Sequence, residues 1–138
     1  MTVTREEEIV LLYTLYVCGR RPSKGRATQF IISNHFLKER ERDYDDVKTG
    51  ESRIENRIAW TRQNLKDKGE LSMPQSGTWE ITGKGIERIE KAAIRSVTWE
   101  DDVLLDIFWE RFSPAFLERL KSLGRTLKDK NAGSEQSK

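Results

Sequence analysis

The 138-residue sequence contains one cysteine and one histidine, and this scarcity excludes several kinds of protein. A lone Cys18 cannot form an internal disulfide, which is typical of proteins in a reducing compartment. A lone His35 excludes a zinc site with several histidines and catalysis by a histidine pair within one chain. No apolar run approaches the roughly 20 residues of a membrane-spanning helix, and no signal-peptide pattern opens the chain. We therefore expect a cytoplasmic protein without a membrane segment.

Residue patterns that carry catalysis are also scarce. Asp43, Asp45 and Asp46 lie close together, but the glycine and terminal glutamate of a calcium loop are missing. The segment Gly83-Lys84-Gly85 lacks the rest of a phosphate-binding loop. A nuclease needs clustered carboxylates to hold metal ions, and the sequence offers no convincing set. We therefore expect a binding domain rather than an enzyme, with no catalytic residue, no metal and no cofactor.

Charge is abundant but almost balanced, since 25 Lys and Arg against 23 Asp and Glu give a net charge of +2. A net charge this small does not by itself indicate a nucleic-acid partner. Its distribution is more informative, because the densest basic cluster comprises Arg20, Arg21, Lys24 and Arg26. This cluster lies on both sides of a predicted helix start, where phosphate contacts are common. A solvated connector is the alternative interpretation.

Apolar periodicity predicts two helices in the first third of the chain. Residues 9–17 are nearly all apolar, which predicts a helix buried on most of its circumference, with Glu6 to Glu8 at its favourable N-terminal end. Pro22 cannot continue this helix, and Ser23 is a candidate cap for a second helix from about Lys24 to Arg40. The charged residues 40–51 then predict a solvated connector.

Residues 51–85 predict a helix, a β-hairpin and the start of another helix. Ile54, Ile58, Thr61 and Leu65 recur at steps of three and four, so they line one helical face. Gly69 is suited to end this helix. The remaining features are predicted strands at 71–73 and 78–82, a turn at 74–77, a cap at Thr82 and a helix at 84–93.

A helix followed by a hairpin with a polar tip is typical of the recognition half of a winged helix. We therefore predict a mainly α fold with a small β-hairpin (α+β), a winged helix-turn-helix with extra C-terminal helices. In this arrangement Trp60 and Trp79 are predicted to pack the hairpin against the helix rather than to stack on a base.

The same stretch resembles the N-terminal domain of Mrr-type restriction proteins. The shared motifs are an Asn-Arg pair, Trp-x-Arg, Leu, Gly, a Pro-x-x-Gly-x-Trp hairpin and Thr-x-x-Gly. Here they are Asn56-Arg57, Trp60, Arg62, Leu65, Gly69, Pro74, Gly77, Trp79, Thr82 and Gly85. Thr61 and Glu70 depart from the family pattern. The resemblance implies a DNA-binding winged helix of a restriction or related defence protein, in which a separate domain or subunit cleaves DNA. Recognition of methylcytosine is suggested only by what related proteins do.

Projection of residues 51–69 on a helical wheel gives the candidate DNA contacts. With the apolar face inward, Asn56 and Gln63 point away from the core, and Arg53 and Arg57 lie on a flank. Asn and Gln can pair with adenine, and Arg with guanine. These four are the base-edge candidates, although an ion pair of Arg57 with Glu55 or Asp67 is an equal alternative. The backbone and wing candidates are Arg21, Ser23, Lys24, Arg26, Ser52, Gln75, Ser76, Thr78 and Lys84.

Residues 99–123 are unusually aromatic and predict one or two amphipathic helices, broken near Ser113-Pro114. A minimal winged helix does not need this much apolar surface. It is expected to cover the back of the domain, to form a homodimer or to dock onto a separate nuclease domain. The apolar residues are Leu104, Leu105, Phe108, Trp109, Phe112, Phe116, Leu117 and Leu120.

The polar composition from about Lys128 onward predicts a disordered tail. The expected domains are therefore 1–95, the winged helix; 96–125, the C-terminal amphipathic helices; and 126–138, a disordered tail or linker. The leading function is double-stranded DNA binding as the target-recognition module of a restriction protein. The alternatives are a winged-helix transcriptional regulator and a protein-interaction or dimerisation module that uses the aromatic C-terminal helices.

Overall fold

A hairpin follows the third of five helices in the computed structural model, which describes residues 5–37, 53–98 and 114–136. This mainly helical architecture with a two-stranded antiparallel hairpin confirms the predicted α+β, winged-helix-like fold. The elements are α1 (Arg5–Val17), α2 (Lys24–Ser33), α3 (Arg53–Asp67), β1 (Leu71–Ser72), β2 (Glu80–Ile81), α4 (Gly83–Ser96) and α5 (Pro114–Gln136).

Helix α1 is the centre of the fold. Every residue from Glu7 to Leu15 is buried, and the helix packs against α2, α3, α4 and β2. The nearly continuous apolar run explains this position, because a helix that is hydrophobic all round needs neighbours on every side. The prediction for this helix is therefore confirmed. Glu7 and Glu8 are buried with it, which the sequence did not indicate.

Helix α2 begins at the predicted cap but ends earlier than predicted. The Ser23 hydroxyl accepts a hydrogen bond from the backbone N–H of Arg26 at 3.1 Å, as an N-cap does. The helix ends at Ser33, whereas the prediction extended it to about Arg40. The physical reason is that His35 adopts a left-handed φ of +53°, and the N–H of Phe36 bonds back to the carbonyl of Ile31. The predicted connector at 40–51 lies outside the described residues.

Helix α3 buries the predicted face. Ile54, Ile58, Thr61 and Leu65 are each at most 5% exposed. Gly69 ends the helix with a φ of +75°, and the N–H of Glu70 bonds to the carbonyl of Leu65 at 2.9 Å. This is the Schellman arrangement, in which a glycine takes the left-handed conformation at low cost.

The hairpin pairs β1 with β2 in antiparallel register, with Leu71 opposite Ile81 and Ser72 opposite Glu80. Its strands are shorter than predicted. At the tip, the N–H of Thr78 bonds to the carbonyl of Gln75, and Gly77 supplies the positive φ of +78° that the turn requires. The predicted turn is therefore confirmed, but it lies one residue later than the predicted range 74–77.

Helix α4 starts at Thr82, whose hydroxyl accepts from the N–H of Gly85 at 3.2 Å. This confirms the predicted cap. Gly85 itself is buried where the start of α4 meets the hairpin. A Cβ there would collide with the carbonyl of Glu70 and would lie 2.8 Å from Cγ1 of Ile81. The close approach of helix and hairpin therefore requires glycine at this position.

Helix α5 covers the side of the core formed by α1 and α4. Phe116, Leu117 and Leu120 are buried, and the ring of Phe116 makes edge-on contacts with Tyr13 and Phe36 at centroid distances of 5.4 and 5.3 Å. Of the three roles expected for the C-terminal segment, covering the domain is confirmed for these residues. Phe108, Trp109 and Phe112 lie outside the described residues.

The extent of α5 differs from the prediction. The helix continues to Gln136, where a disordered tail was expected from residue 126. Leu127 packs against the core, and the neighbouring Lys and Arg are good helix formers, so polar composition alone did not end the helix. Pro114 occupies its first residue, a position that suits proline. The predicted domain boundaries remain predictions. None of the helices described here is long and apolar enough to cross a membrane.

Candidate nucleic-acid interface

The hairpin and the basic connection between α1 and α2 form one surface. The N–H of Trp79 donates to the carbonyl of Pro22 at 2.9 Å, the N–H of Lys24 donates to the carbonyl of Gly77 at 2.8 Å, and Ser23 forms an antiparallel bridge with Thr78. The connection thus runs beside the second arm of the hairpin. Helix α2 consequently starts next to the tip of the β1–β2 hairpin, which we call the wing.

The cations of this surface differ in their surroundings. Lys24 and Arg26 are exposed at the first turn of α2. Arg21 is exposed and forms a 2.8 Å ion pair with Glu80, and such surface pairs contribute little to stability. The guanidinium of Arg20 lies 5.0 Å from the centre of the Tyr16 ring. Lys84, exposed at the start of α4, donates to the carbonyl of Lys68 at 3.0 Å.

The wing is anchored to the domain by a buried side chain and is polar at its tip. Trp79 is only 2% exposed, as the prediction that it packs the hairpin against the helix requires. Gln75 and Ser76 are exposed, and Thr78 is half-buried. The tip therefore presents amide and hydroxyl groups on a fixed base.

The outer face of α3 carries an open groove of about 310 Å³. It is lined by Asn56, Ala59, Trp60, Arg62 and Gln63. On the helical wheel Asn56, Ala59 and Gln63 lie opposite the buried stripe, and Trp60 and Arg62 lie on either side of them. The predicted outward positions of Asn56 and Gln63 agree with this lining. Trp60 is 47% exposed, so about half of its surface is open to solvent rather than packed against the hairpin as predicted. The side chain of Trp60 lies outside the buried stripe, on the same side of the helix as the amides of Asn56 and Gln63.

Arg62 connects this groove to the hairpin. Its Nη1 donates to Oε1 of Gln63 at 2.9 Å and contacts Sδ of Met73, just before the wing tip, at 3.6 Å. Nε2 of Gln63 in turn donates to Oδ1 of Asp67 at 2.9 Å. The amide of Gln63 is thereby oriented, yet one N–H and one oxygen lone pair remain for another partner. Sequence reasoning did not propose Arg62, although its place in the Trp-x-Arg motif was a signal.

Arg57 faces inward rather than towards the groove. Its Nε donates to Oε2 of Glu7 at 2.8 Å, its Nη2 pairs with Oε1 of the same residue, and its side chain is 14% exposed. The base-edge prediction for Arg57 does not fit this geometry. The alternative of an ion pair does, but the partner is Glu7 rather than Glu55 or Asp67. A partner 50 positions away leaves no signal in the local pattern.

A second buried carboxylate holds the C-terminal end of α3. Glu8 accepts from Nζ of Lys68 and from Nη2 of Arg88, both at 2.8 Å, and from Nδ2 of Asn64 at 3.2 Å. Nη1 of Arg88 also pairs with Glu70 at 2.6 Å. Burial of Glu8 opposes ionisation, but the hydrogen bonds and charges of Lys68 and Arg88 outweigh it and lower its pKa. These contacts fix α3 and the hairpin to α1 and α4.

Two base and backbone candidates are not placed. Arg53 is the first residue of α3, but its side chain lies outside the described part of the chain, and Ser52 lies outside it altogether. Among the residues described, no three His, Cys, Asp or Glu converge as a metal site would require.

A family model described as the Mrr N-terminal domain matches residues 11–91. The chain belongs to this family. The matched range starts in α1 and ends in α4, so it contains the groove, the hairpin and the basic connection of this Mrr N-terminal domain. Most of α1's first two turns and all of α5 lie beyond the match. No curated protein and no solved structure matched the chain.

Membership of the family associates the chain with Mrr-type restriction proteins. The described geometry places several of the predicted site residues in two groups. Asn56 and Gln63 line the groove, and Ser23, Lys24 and Thr78 adjoin at the wing.

Proposed function

We propose that this Mrr N-terminal domain binds double-stranded DNA as the target-recognition module of a restriction protein. The outer face of α3 reads base edges, while the wing and the start of α2 contact the backbone. The observation that carries this proposal is the groove on α3. In this groove the amide of Gln63 is held in position by Arg62, which also contacts the hairpin. DNA cleavage belongs to another domain or subunit.

The dimensions of α3 suit the major groove. An α-helix with its side chains is about 10–12 Å across, and the major groove of B-DNA is about 12 Å wide. Asn56 and Gln63 are seven residues apart, which corresponds to roughly 10 Å along the helix axis, or about three base pairs. Both amides can each make the bidentate contact that recognises adenine.

The neighbouring cations supply the contacts that are independent of sequence. Lys24 and Arg26 lie in the first turn of α2, where the helix dipole favours an anion such as phosphate. The Ser23 oxygen accepts within the cap, so its hydroxyl proton remains able to donate to phosphate. Phosphate contacts fix the orientation in which the outer face of α3 meets the bases.

A binding titration tests the proposal directly. The chain is titrated with duplex DNA, with and without cytosine methylation, at two salt concentrations. We expect tight binding that weakens with salt. A preference for the methylated duplex would assign the module to modification-dependent restriction. Absence of binding even at low salt would contradict the proposal.

Two variants locate the base contacts within that assay. Replacement of Asn56 or Gln63 by alanine is expected to weaken binding to the preferred sequence by about 1–3 kcal/mol for each lost bidentate contact. Gln29→Ala is a control, because the exposed amide of Gln29 lies on α2 and does not line the groove of α3. Equal losses in all three variants would contradict the assignment of the reading face.

We further propose that any homodimer or nuclease-domain contact involves residues of the C-terminal segment other than Phe116, Leu117 and Leu120. Those three side chains are buried inside the fold and offer no surface to a partner. Sedimentation of the chain over a range of concentrations tests self-association. Dissociation of a dimer by Leu120→Ala alone, with the fold retained, would contradict this assignment.

A further inference from the structure

We propose that Trp60 is a specificity-determining residue that contacts the C5-methyl group of a pyrimidine in the major groove. This inference rests on the proposed DNA binding and names a residue and a chemical group for it. Trp60 is 47% exposed in the groove of α3, and Val17 is the other exposed large hydrophobic side chain in the described residues. A large exposed apolar side chain within a polar recognition face indicates a contact with an apolar partner.

The order of side chains along α3 defines where that partner lies. Asn56 comes first, Ala59 and Trp60 follow one turn later, and Gln63 lies one turn further on. The stripe therefore reads amide, apolar, amide. The C5-methyl of thymine is the apolar group that a base pair presents in the major groove, and alanine and aromatic side chains are suitable partners for it.

The polar neighbours of Trp60 make base edges a better partner for this face than an apolar protein surface. The carbonyl and amino groups of Gln63 have remaining hydrogen-bonding capacity after their bonds to Arg62 and Asp67. A purely apolar partner would leave these groups unsatisfied on burial, at a cost. Base edges satisfy them, since each base presents donors and acceptors beside the methyl group.

The expected preference is a pyrimidine methyl between two adenine-containing positions, within a site of about three to four base pairs. Thymine and 5-methylcytosine both carry this methyl group, so the chemistry is shared and the experiment must separate the two sources. Burial of one methyl group is worth about 0.8 kcal/mol, which corresponds to a roughly fourfold change in affinity.

The test starts with duplexes enriched from a random library by the wild-type chain. Each thymine in the enriched site is replaced singly by deoxyuridine, which removes only the methyl group. Affinities are then measured for wild type, Trp60→Ala, Trp60→Phe and Val17→Ala. At one or two positions deoxyuridine is expected to weaken wild-type binding about three- to fivefold. Trp60→Ala is expected to bind both duplexes equally, while Trp60→Phe and Val17→Ala keep the preference.

A parallel pair of duplexes carries cytosine or 5-methylcytosine, paired with guanine, at the sensitive position. A gain on methylation that Trp60→Ala abolishes would identify 5-methylcytosine as a second source of the methyl group. Absence of such a gain, with the thymine effect present, would restrict the contact to thymine. Both results support the role of Trp60.

Two results overturn the inference and differ in what they say of DNA binding. If wild type enriches a site and Trp60→Ala retains the full loss on deoxyuridine substitution, Trp60 does not contact the methyl group, but DNA binding stands. If wild type shows no salt-dependent binding to any duplex, both the inference and the proposed function fail. Circular dichroism of Trp60→Ala establishes that its fold is retained, as expected for a half-exposed side chain.

Discussion

Asn56 and Arg57 are neighbours on α3, but their side chains have opposite surroundings. Asn56 lines the open groove, whereas Arg57 pairs with Glu7, a carboxylate that is 3% exposed. Breaking a buried ion pair leaves an uncompensated charge in the interior. The two residues therefore allow the support of α3 to be tested separately from the proposed base recognition.

Arg57→Ala is expected to lower the free energy of unfolding by about 3–5 kcal/mol, because the buried carboxylate of Glu7 loses the charge and the hydrogen bonds of this guanidinium. Urea denaturation measures this loss. Asn56→Ala is the matched control, since a half-exposed residue without a buried partner should change stability by about 0.5 kcal/mol or less. If Arg57→Ala unfolds like wild type but loses DNA affinity, Arg57 contacts DNA and the ion pair is dispensable.

The buried Glu8 carboxylate makes stability depend on pH. Lys68 and Arg88 hold the pKa of Glu8 below its ordinary value despite its burial. A carboxylate with a lowered pKa in the folded state stabilises that state above the ordinary Glu pKa of about 4.3. That contribution is lost as the pH falls through the lower, folded-state pKa. The fold is therefore expected to weaken in acid.

Glu8→Gln is expected to lower the free energy of unfolding near neutral pH by about 3–5 kcal/mol and to flatten its fall below about pH 5, because glutamine does not titrate. Urea denaturation at several pH values measures both effects. Glu87→Gln serves as the control, since its pair with Lys91 is exposed and should leave stability almost unchanged. An unaltered acid slope in Glu8→Gln would show that another group governs it.

At the scale of elements, the packing of α5 on α4 depends on a missing side chain. A Cβ on Gly124 would collide with the carbonyl of Ala93 and would lie 2.7 Å from Cγ2 of Val97. Ala93 lies in the C-terminal half of α4, and Val97 is the residue that follows the helix. The two helices can approach closely only because position 124 is glycine.

Gly124→Ala is expected to destabilise the fold by about 1–3 kcal/mol, because α5 must shift away from α4. Thermal unfolding monitored by circular dichroism measures the change. Gly25→Ala is the matched control: nothing lies within 4 Å of a Cβ at this position in α2, so alanine should stabilise the helix by about 0.5–1 kcal/mol. If both variants are equally stable, the close helix crossing contributes nothing.

Local patterns predicted the elements well where the decisive contacts lie within the element. The periodicity of α3 gave its buried face, Ser23 and Thr82 were recognised as caps, and Gly69 as the end of α3. These features depend on neighbours within about one and a half helical turns of each other. The end of α2 was missed because His35, rather than glycine, takes the left-handed conformation there.

The site was predicted less completely because long-range contacts decide it. Glu7 and Glu8 suited a helix N-terminus by local rules, yet their partners Arg57 and Arg88 lie 50 and 80 residues away. Trp60 and Trp79 were treated alike, although one is 47% and the other 2% exposed. A wheel projection places side chains relative to one stripe, but it does not show which neighbouring element covers the edges of that stripe.

At the scale of the whole molecule, the small net charge of +2 conceals an uneven distribution. Ion pairs around α3 join three buried carboxylates to three cations, of which Arg57 and Arg88 are largely buried and Lys68 is half-exposed. Exposed Lys24 and Arg26 adjoin the wing, and Lys84 is exposed at the start of α4. Local potential, not net charge, therefore governs the approach of a polyanion.

Lys24→Ala is expected to weaken binding to every duplex and to reduce the slope of log affinity against log salt by about one, because one phosphate contact and its released counterion are lost. Titrations at four or more salt concentrations measure the slope. Lys128→Ala is the matched control, since it removes an exposed cation on α5. Gln63→Ala is also expected to weaken binding, but only to the preferred sequence. It should leave the salt slope unchanged, because an amide contact with a base releases no counterion. If Lys128→Ala flattens the slope and Lys24→Ala does not, DNA lies against α5, and the surface formed by the wing, α2 and α3 has another role.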